Sequence, residues 1–470
     1  MNLENITTII LAAGKGTRMK SDIVKVLHPV LGLPMLSYPI ELSLNGVKAE
    51  KTIVVVGHQA DRIQEVFKGL PIDFALQKEQ LGTGHAVLQA IPFLQSFSGT
   101  VLILCGDVPL VELETLRSFI GTYKENGSTL SVLTAVVEDP YGYGRILRNP
   151  EGWLEKIVEE KDASIEERMI REVNTGIFCV QAPFLMQGLR KIGKENAQGE
   201  YYLTDLVEVA KERGLRCSAH IVAVPVEVMG INTRVDLAIA NDVLRQKKLK
   251  DLMLSGVTVI DPKTTYVDRP VEVGKDSILY PNCYLQGKTT IGERCILEPN
   301  SKISDSLIGD DVTICANSVI TESKIEEGVA IGPFAHLRPL SEVKSKAKIG
   351  NFVEVKKSII GRGSKANHLS YIGDSLLGED VNIGAGTITC NYDGLEKHQT
   401  IIGNRVFVGS NVELVAPVKV GSGSSIGAGT TVTKDVPEGA LAISRVKQKN
   451  IRGWSKKIEH RRKKMRSKKG

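Results

Sequence analysis

From Val273 onward an aliphatic side chain returns at every sixth position, through Val273, Leu279, Leu285, Ile291, Leu297 and Ile303. The beat skips one residue and resumes at Ile308, Ile314 and Ile320, then at Ile325, Ile331, Leu337, Val343, Ile349 and Val355. It goes on through Ile360, Ala366 and Ile372, then Leu377, Ile383 and Thr389, and closes on Ile402, Val408, Leu414, Val420, Ile426 and Val432. Of these 27 positions 25 are Ile, Leu or Val, and the unbroken runs hold six, three, six, three, three and six of them. Every run is a multiple of three. Three hexads make one coil of a triangular β-helix, so the pattern predicts nine coils with every break at the same corner. At the spacing of paired strands that prism would be roughly 43 Å tall. The one long interruption, Cys390 to Ile401, is too large for a corner and predicts a loop leaving the prism.

Residues 1–228 carry a different pattern, short β-branched runs alternating with helical spacing, as in an α/β sheet with crossover helices. The predicted strands are Thr7–Leu11, Thr52–Val56, Thr100–Leu104, Leu130–Val136 and Gly176–Val180. Between the halves, Val235, Leu237, Ala238, Ile239, Val243, Leu244, Leu249 and Leu252 lie at helical spacing, and Ser255-Gly256 stops the run. The expected organisation is an α/β Rossmann-like domain over 1–231 and a linker helix over 232–256. A left-handed parallel β-helix of hexapeptide repeats follows over 257–447, then a basic tail over 448–470.

A chain of 470 residues exceeds one hydrophobic core, in keeping with this division. Its net charge of +6 is local, because 455–470 hold nine Lys or Arg and one Glu. The remainder carries 51 basic and 53 acidic residues, so a nucleic-acid role would rest on the tail alone. A solvated, disordered end is expected instead, with no nucleic-acid partner. Seven cysteines without a CxxC pair read as reduced thiols of a cytoplasmic protein. Thr8–Ala13 is too short for an export signal, and no stretch approaches the ~20 apolar residues of a membrane span.

The first predicted strand ends in Leu11-Ala12-Ala13-Gly14-Lys-Gly-Thr-Arg18-Met19, with Lys25 six residues further on. This is neither a P-loop nor the GxGxxG turn. Its glycines would let backbone N–H groups approach a phosphate while Arg18 and Lys25 offset the charge. Gln77 and Gly82-Thr83 follow, then Gly106-Asp107 at the end of the third strand, where open α/β sheets place their chemistry. Together with Tyr143-Gly144-Arg145, Glu159, Asn174-Thr-Gly176 and Gly230-Ile-Asn232, these motifs resemble the sugar-nucleotide pyrophosphorylases in order and spacing. Val24 departs from the Pro that usually precedes the lysine of that family.

The resemblance implies attack of a sugar 1-phosphate oxygen on the α-phosphate of UTP, with pyrophosphate leaving. It implies Mg²⁺ on Asp107 and Asn232, with Arg18 and Lys25 as the catalytic cations on the phosphates. It assigns uracil to Leu11, Ala12, Ala13, Gly14, Gln77, Gly82 and Thr83, and the N-acetylated sugar to Gly144, Glu159 and Asn174. Lys25 and Asn232 would also touch the nucleotide sugar.

In the prism, Gly350-Asn-Phe-Val-Glu354-Val-Lys356, His368-Leu-Ser-Tyr371, Asn382-Ile-Gly-Ala385 and Cys390-Asn391-Tyr392 surround the long interruption, which holds Lys397. This passage resembles the acetyltransferase half of the bifunctional N-acetylglucosamine-1-phosphate uridylyltransferase/glucosamine-1-phosphate N-acetyltransferases. Resemblance to that family covers nearly all of residues 5–455. It implies acetyl transfer from acetyl-CoA to a sugar amine, with His368 as the base and Glu354 the candidate orienting partner. Arg338, Lys356, Tyr371, Asn382 and Lys397 would hold glucosamine 1-phosphate. Ala385, Asn391, Tyr392, Ser410, Ala428 and Arg445 would hold acetyl-CoA. It implies a homotrimer in which neighbouring prisms complete each site. His28, His58, His336 and His460 are read as structural. The alternative is a single-activity sugar-1-phosphate nucleotidyltransferase whose prism serves assembly or regulation, and a non-catalytic scaffold is a third reading. His368, Asn391-Tyr392 and the loop argue against the first, and Asp107, Lys25 and Asn232 against the second.

Overall fold

The computed structural model describes residues 4–468, and the chain divides into two compact units, 1–248 and 249–470. In the first unit the sheet runs in the order Cys217–Ile221, Leu130–Val136, Glu172–Gln181, Thr100–Cys105, Ile6–Ala12, Lys51–Val56, Asp73–Leu76. Glu172–Gln181 is antiparallel to both neighbours, and the other neighbouring pairs are parallel. Successive side chains of a strand point to opposite faces, and both faces are covered. Ile9, Ile53, Val55, Val101 and Ile103 pack with Ala86, Val87 and Ala90 of the helix Thr83–Ala90. Ile10, Val54, Val56, Leu102 and Leu104 pack with Leu116, Phe119 and Ile120 of the helix Leu113–Glu125. Burial on two faces is why these strands read as continuous apolar runs rather than alternations.

The five predicted strands form, with four more. Asp73–Leu76 and Cys217–Ile221 lie at the sheet edges, where one side of the ladder is unpaired and fewer positions must be apolar. Arg145–Arg148 and Leu154–Val158 make a hairpin beside the sheet. Glu172–Gln181 begins earlier than Gly176 because its register shifts between Asn174 and Ile177. At that bulge Gly176 adopts φ +78°, and a side chain there would bring its Cβ to 2.8 Å from the Cys105 sulfur.

The connecting helix is Arg234–Leu254. Thr233 starts it: its hydroxyl accepts from Asp236 N at 3.2 Å, and Asp236 accepts from the amides of Asn232 and Thr233 at 2.9 and 2.8 Å. That reciprocal cap fixes Asn232 just ahead of the first turn. Gly256, at φ +96°, follows the last turn.

The second unit is three parallel sheets of 11, 10 and 9 strands, joined in rotation as a triangular prism. All 27 positions of the six-residue beat lie in its strands, and each five-residue step falls between the 10-stranded and 9-stranded sheets. The prism is longer than the beat. Tyr266–Val267 precedes it in phase, Val267 lying six residues before Val273, while Thr258–Val259 before it and Leu441–Ala442 after it are spaced too irregularly to extend the hexad pattern. One continuous core fills the interior, from Val259 to Val436. The tail differs from expectation: Trp454–Arg466 is a helix with no buried residue, built from helix-favouring residues uninterrupted by Gly or Pro. Among the described residues no helix is long and apolar enough to cross a membrane.

Candidate active sites

In the first unit the loop after Ile6–Ala12 folds over Lys25. Gly16 permits this, since its φ is +62° and a Cβ there would sit 2.5 Å from that of Lys25. Short turns at Thr17–Met19 and Lys25–Leu27 present the two cations. Arg18 Nη2 and Lys25 Nζ both donate to Asn232 Oδ1 at 2.8 Å, and Lys25 is ion-paired with Asp107. Ile231 N donates to the Asp107 carbonyl at 2.9 Å, tying the segment before the helix to the end of Thr100–Cys105. Four predicted residues, Arg18, Lys25, Asp107 and Asn232, thus converge.

Leu11, Ala12, Ala13, Gly14, Lys25, Gln77, Gly82, Thr83 and Asp107 line one cleft of about 310 Å³, together with Gln80 and Glu200, which sequence reasoning missed. Gln77 Nε2 donates to Gly82 O at 3.1 Å, and Thr83 Oγ1 accepts from Leu203 N at 3.0 Å. Gly144, Glu159 and Asn174 gather separately. Asn174 N donates to Gly144 O at 2.8 Å, and a Cβ on Gly144 would lie 3.3 Å from the Glu159 carboxylate. Glu159 lines a second, acidic cavity of about 460 Å³ with Asp162, Asp205 and Glu208. Burial pushes the Glu159 carboxyl above its usual range, against the opposing hydrogen bond from Thr204. Burial, with Glu208 next, pushes Asp205 up to about 6.

The Asp107 carboxylate and Asn232 amide oxygen are hard donors suited to a small divalent ion. Among the described residues no group of three or more His, Cys, Asp and Glu could hold a metal. An ion held at Asp107 and Asn232 would need further oxygens to complete its shell.

In the prism His368 closes the strand Lys365–His368, and its Nδ1 lies 2.8 Å from Asn351 Oδ1 on the preceding rung. Glu354 is not its partner. Glu354 pairs with Arg338 at 2.9 Å on the next face of the prism, where it stands in register with Tyr371. Lys356 meets Asp374 at 3.3 Å, and Asn391 Nδ2 donates to the same carboxylate oxygen at 2.6 Å. Asn391 Nδ2 also lies 3.5 Å from the Tyr371 hydroxyl. Lys397 comes from the loop to stand beside Lys356, whose hydrogen bond and charge hold Lys397 below the usual lysine range. An anion bound between the two amines would relieve that repulsion. Asp374, buried beneath them, ends the motif that begins at His368, but sequence reasoning assigned it no role.

Coil register arranges the remaining residues. Asn351, His368, Ala385, Ser410 and Ala428 each follow an inward position, Ile349, Ala366, Ile383, Val408 and Ile426, by two residues. These inward positions are neighbours along one sheet, so the five form a column along one edge of the prism. Arg445 Nη1 donates to the Ala428 carbonyl at 2.9 Å, at the column's far end. Asn382 lies on the same sheet, three residues before Ala385. The loop leaves after Cys390, at the corner of the five-residue steps. Tyr392 and Lys397 pair across it, with Tyr392 exposed at its base.

Two units so built define a nucleotidyltransferase sheet joined to a hexapeptide-repeat transferase. Residues 8–173 match the MobA-like NTP transferase domain, and residues 399–434 the six-repeat bacterial transferase hexapeptide family. The chain is 53% identical to the bifunctional protein GlmU of Pelobacter propionicus over 96% of its own length and 98% of the relative's. It is 52% identical to that of Geotalea uraniireducens, over 97% and 100%. Against that of Geobacillus thermodenitrificans it is 48% identical, over 97% and 98%. The chain belongs to the bifunctional GlmU family. It is an enzyme with two transferase units, and its prism is a left-handed β-helix of hexapeptide repeats.

Proposed function

We propose that the two units catalyse consecutive steps of UDP-N-acetylglucosamine synthesis, acetylation of glucosamine 1-phosphate followed by uridylylation of the product. The observation that carries this reading is the column from His368 to Arg445 along one edge of the prism, with Lys356 and Lys397 at the next corner. A prism serving only assembly needs neither. Three rungs of about 4.8 Å place Ala428 ~14 Å from His368, room for the extended arm of acetyl-CoA with its phosphates toward Arg445. Ala385, Ser410 and Ala428, all small, would leave that groove open, and Asn391 and Tyr392 would meet the acetyl group and coenzyme.

In the first step Arg338, Lys356, Tyr371, Asn382 and Lys397 hold the sugar phosphate. His368 takes a proton from the 2-amine as its nitrogen attacks the thioester carbon. The C–N bond forms, the C–S bond breaks, and the coenzyme leaves as a thiolate that recovers the proton. In the second step the acetylated sugar rests on Gly144, Glu159 and Asn174. Uracil rests on Leu11–Gly14, Gln77 and Gly82-Thr83. A phosphate oxygen attacks the α-phosphorus of UTP while Arg18 and Lys25 neutralise the two polyanions, and pyrophosphate departs. Asp107 and Asn232 would hold a Mg²⁺ ion, which when bound would add to the neutralisation of the phosphates.

The functional boundaries are 1–231, 232–256 and 257–447, with the tail at 448–470. The assembly is a cytoplasmic homotrimer. Support for the trimer comes from Phe334, Phe352 and Leu369, exposed corner residues in left-handed conformation, the two phenyl rings stacked at 5.2 Å.

The test is a coupled assay with glucosamine 1-phosphate, acetyl-CoA, UTP and Mg²⁺, following free thiol and pyrophosphate separately. Both should appear, with pyrophosphate depending on acetyl-CoA. His368→Ala should abolish thiol release and spare uridylylation of N-acetylglucosamine 1-phosphate, and Asp107→Ala should do the reverse. Pyrophosphate without any thiol would leave the prism as an assembly module.

A further inference from the structure

We infer that Asn351 is the positioning residue for His368, its side-chain oxygen accepting the Nδ1 proton so that Nε2 presents its lone pair to the amine. The inference rests on His368 being the base. A neutral imidazole carries its one proton on either nitrogen, and only the deprotonated nitrogen can accept another. A partner that only accepts therefore selects the tautomer, and an amide oxygen does so without adding charge.

Three features build this contact. The backbone pairs Asn351 with His368 on adjacent rungs, and Nδ1 lies 2.8 Å from Oδ1. The same residue holds the chain beyond the histidine, because Leu369 N donates to Asn351 O at 3.0 Å. Gly350 allows the approach, since a Cβ there would fall 1.9 Å from Asn367 O.

The flanking positions of the column are uncharged, Asn351 on one side and Ala385 on the other. On the strands carrying the pair the charged residues are Lys348 and Lys365, three positions earlier. Glu354, the charged group nearest in sequence to Asn351 on the following face, is engaged by Arg338. No carboxylate competes for Nδ1 in this arrangement.

The test compares Asn351→Leu and Asn351→Asp in the full-length enzyme, with thiol release measured across pH and pyrophosphate release from separately supplied N-acetylglucosamine 1-phosphate as the internal standard. Leucine keeps the volume but removes the acceptor, and should lower kcat for acetyl transfer by about tenfold or more. Its KM for glucosamine 1-phosphate should change little. Aspartate keeps the acceptor and adds charge, so it should restore most of kcat while moving the acidic limb of kcat/KM to higher pH. Wild-type kcat with an unmoved limb in Asn351→Leu overturns the inference. So does an equal loss of thiol and pyrophosphate release, which marks a structural role. Undiminished thiol release in His368→Ala would instead overturn the base itself.

Discussion

Replacing Lys25 with methionine should tighten divalent-metal binding to the nucleotide-free protein. The Lys25 ammonium bonds both the Asp107 carboxylate and Asn232 Oδ1, the two oxygens proposed for the metal. An ion and an ammonium cannot share them, so the metal must first displace Lys25. The pair is partly shielded, with side-chain exposures of 12% and 26%, which limits screening by solvent. A hydrogen bond to a charged group contributes about 1.5–3 kcal/mol, so removing the competitor should tighten binding roughly ten- to a hundredfold. Methionine keeps the length of the stem without the charge. Binding of Mn²⁺ as a Mg²⁺ surrogate, followed by electron paramagnetic resonance of the free ion, reads the effect directly. UTP should narrow the gap, because its phosphates draw the wild-type ammonium away and supply the missing metal oxygens. Uridylylation by the variant should fall, since the same lysine serves the phosphates. Unchanged or weaker Mn²⁺ binding without nucleotide would refute the competition.

Two further perturbations separate the units. Asp374→Ala removes the carboxylate shared by Lys356 and Asn391. It should raise KM for glucosamine 1-phosphate on the order of tenfold and leave pyrophosphate release from supplied N-acetylglucosamine 1-phosphate unchanged; unaltered acetyl-transfer kinetics would dismiss Asp374 as an organiser. Asp205→Asn should raise the Tm at neutral pH. Burial holds the Asp205 pKa at about 6, above its unfolded value, so the wild type loses stability as pH rises toward 6 and carries the full penalty above it. The gain should therefore vanish near pH 4, and a gain of equal size there would refute the titration.

The prism was legible because one rule, an inward side chain every sixth residue, sets the whole interior. The sheet of the first unit was legible only where both faces are buried, and its edge strands and hairpin lacked that signature. The cluster of Arg18, Lys25, Asp107 and Asn232 joins segments far apart in sequence, and no local spacing reveals the contact. There the family motifs supplied what periodicity could not. The tail was misread because its charge was weighed and its helix propensity was not.

Asn351 and Asp374 were missed for a different reason, although their signal was present. A coil of this prism takes 17 or 18 residues, so side chains that distance apart stack on neighbouring rungs, as positions three or four apart do on a helix. Asn351 precedes His368 by 17 and Asp374 precedes Asn391 by 17, while Lys356 stands in register with Gly373 and meets Asp374 one position further on. Glu354 precedes His368 by 14, which matches no rung and puts it on another face. The same arithmetic explains how the prism opens without losing its site. Ala385 to Ser410 spans 25 residues, one coil plus the loop, yet the two remain in one column. The extra residues leave from the corner where the shorter steps also fall, so the insertion brings Lys397 to Lys356 without shifting the rungs that align His368 with Arg445.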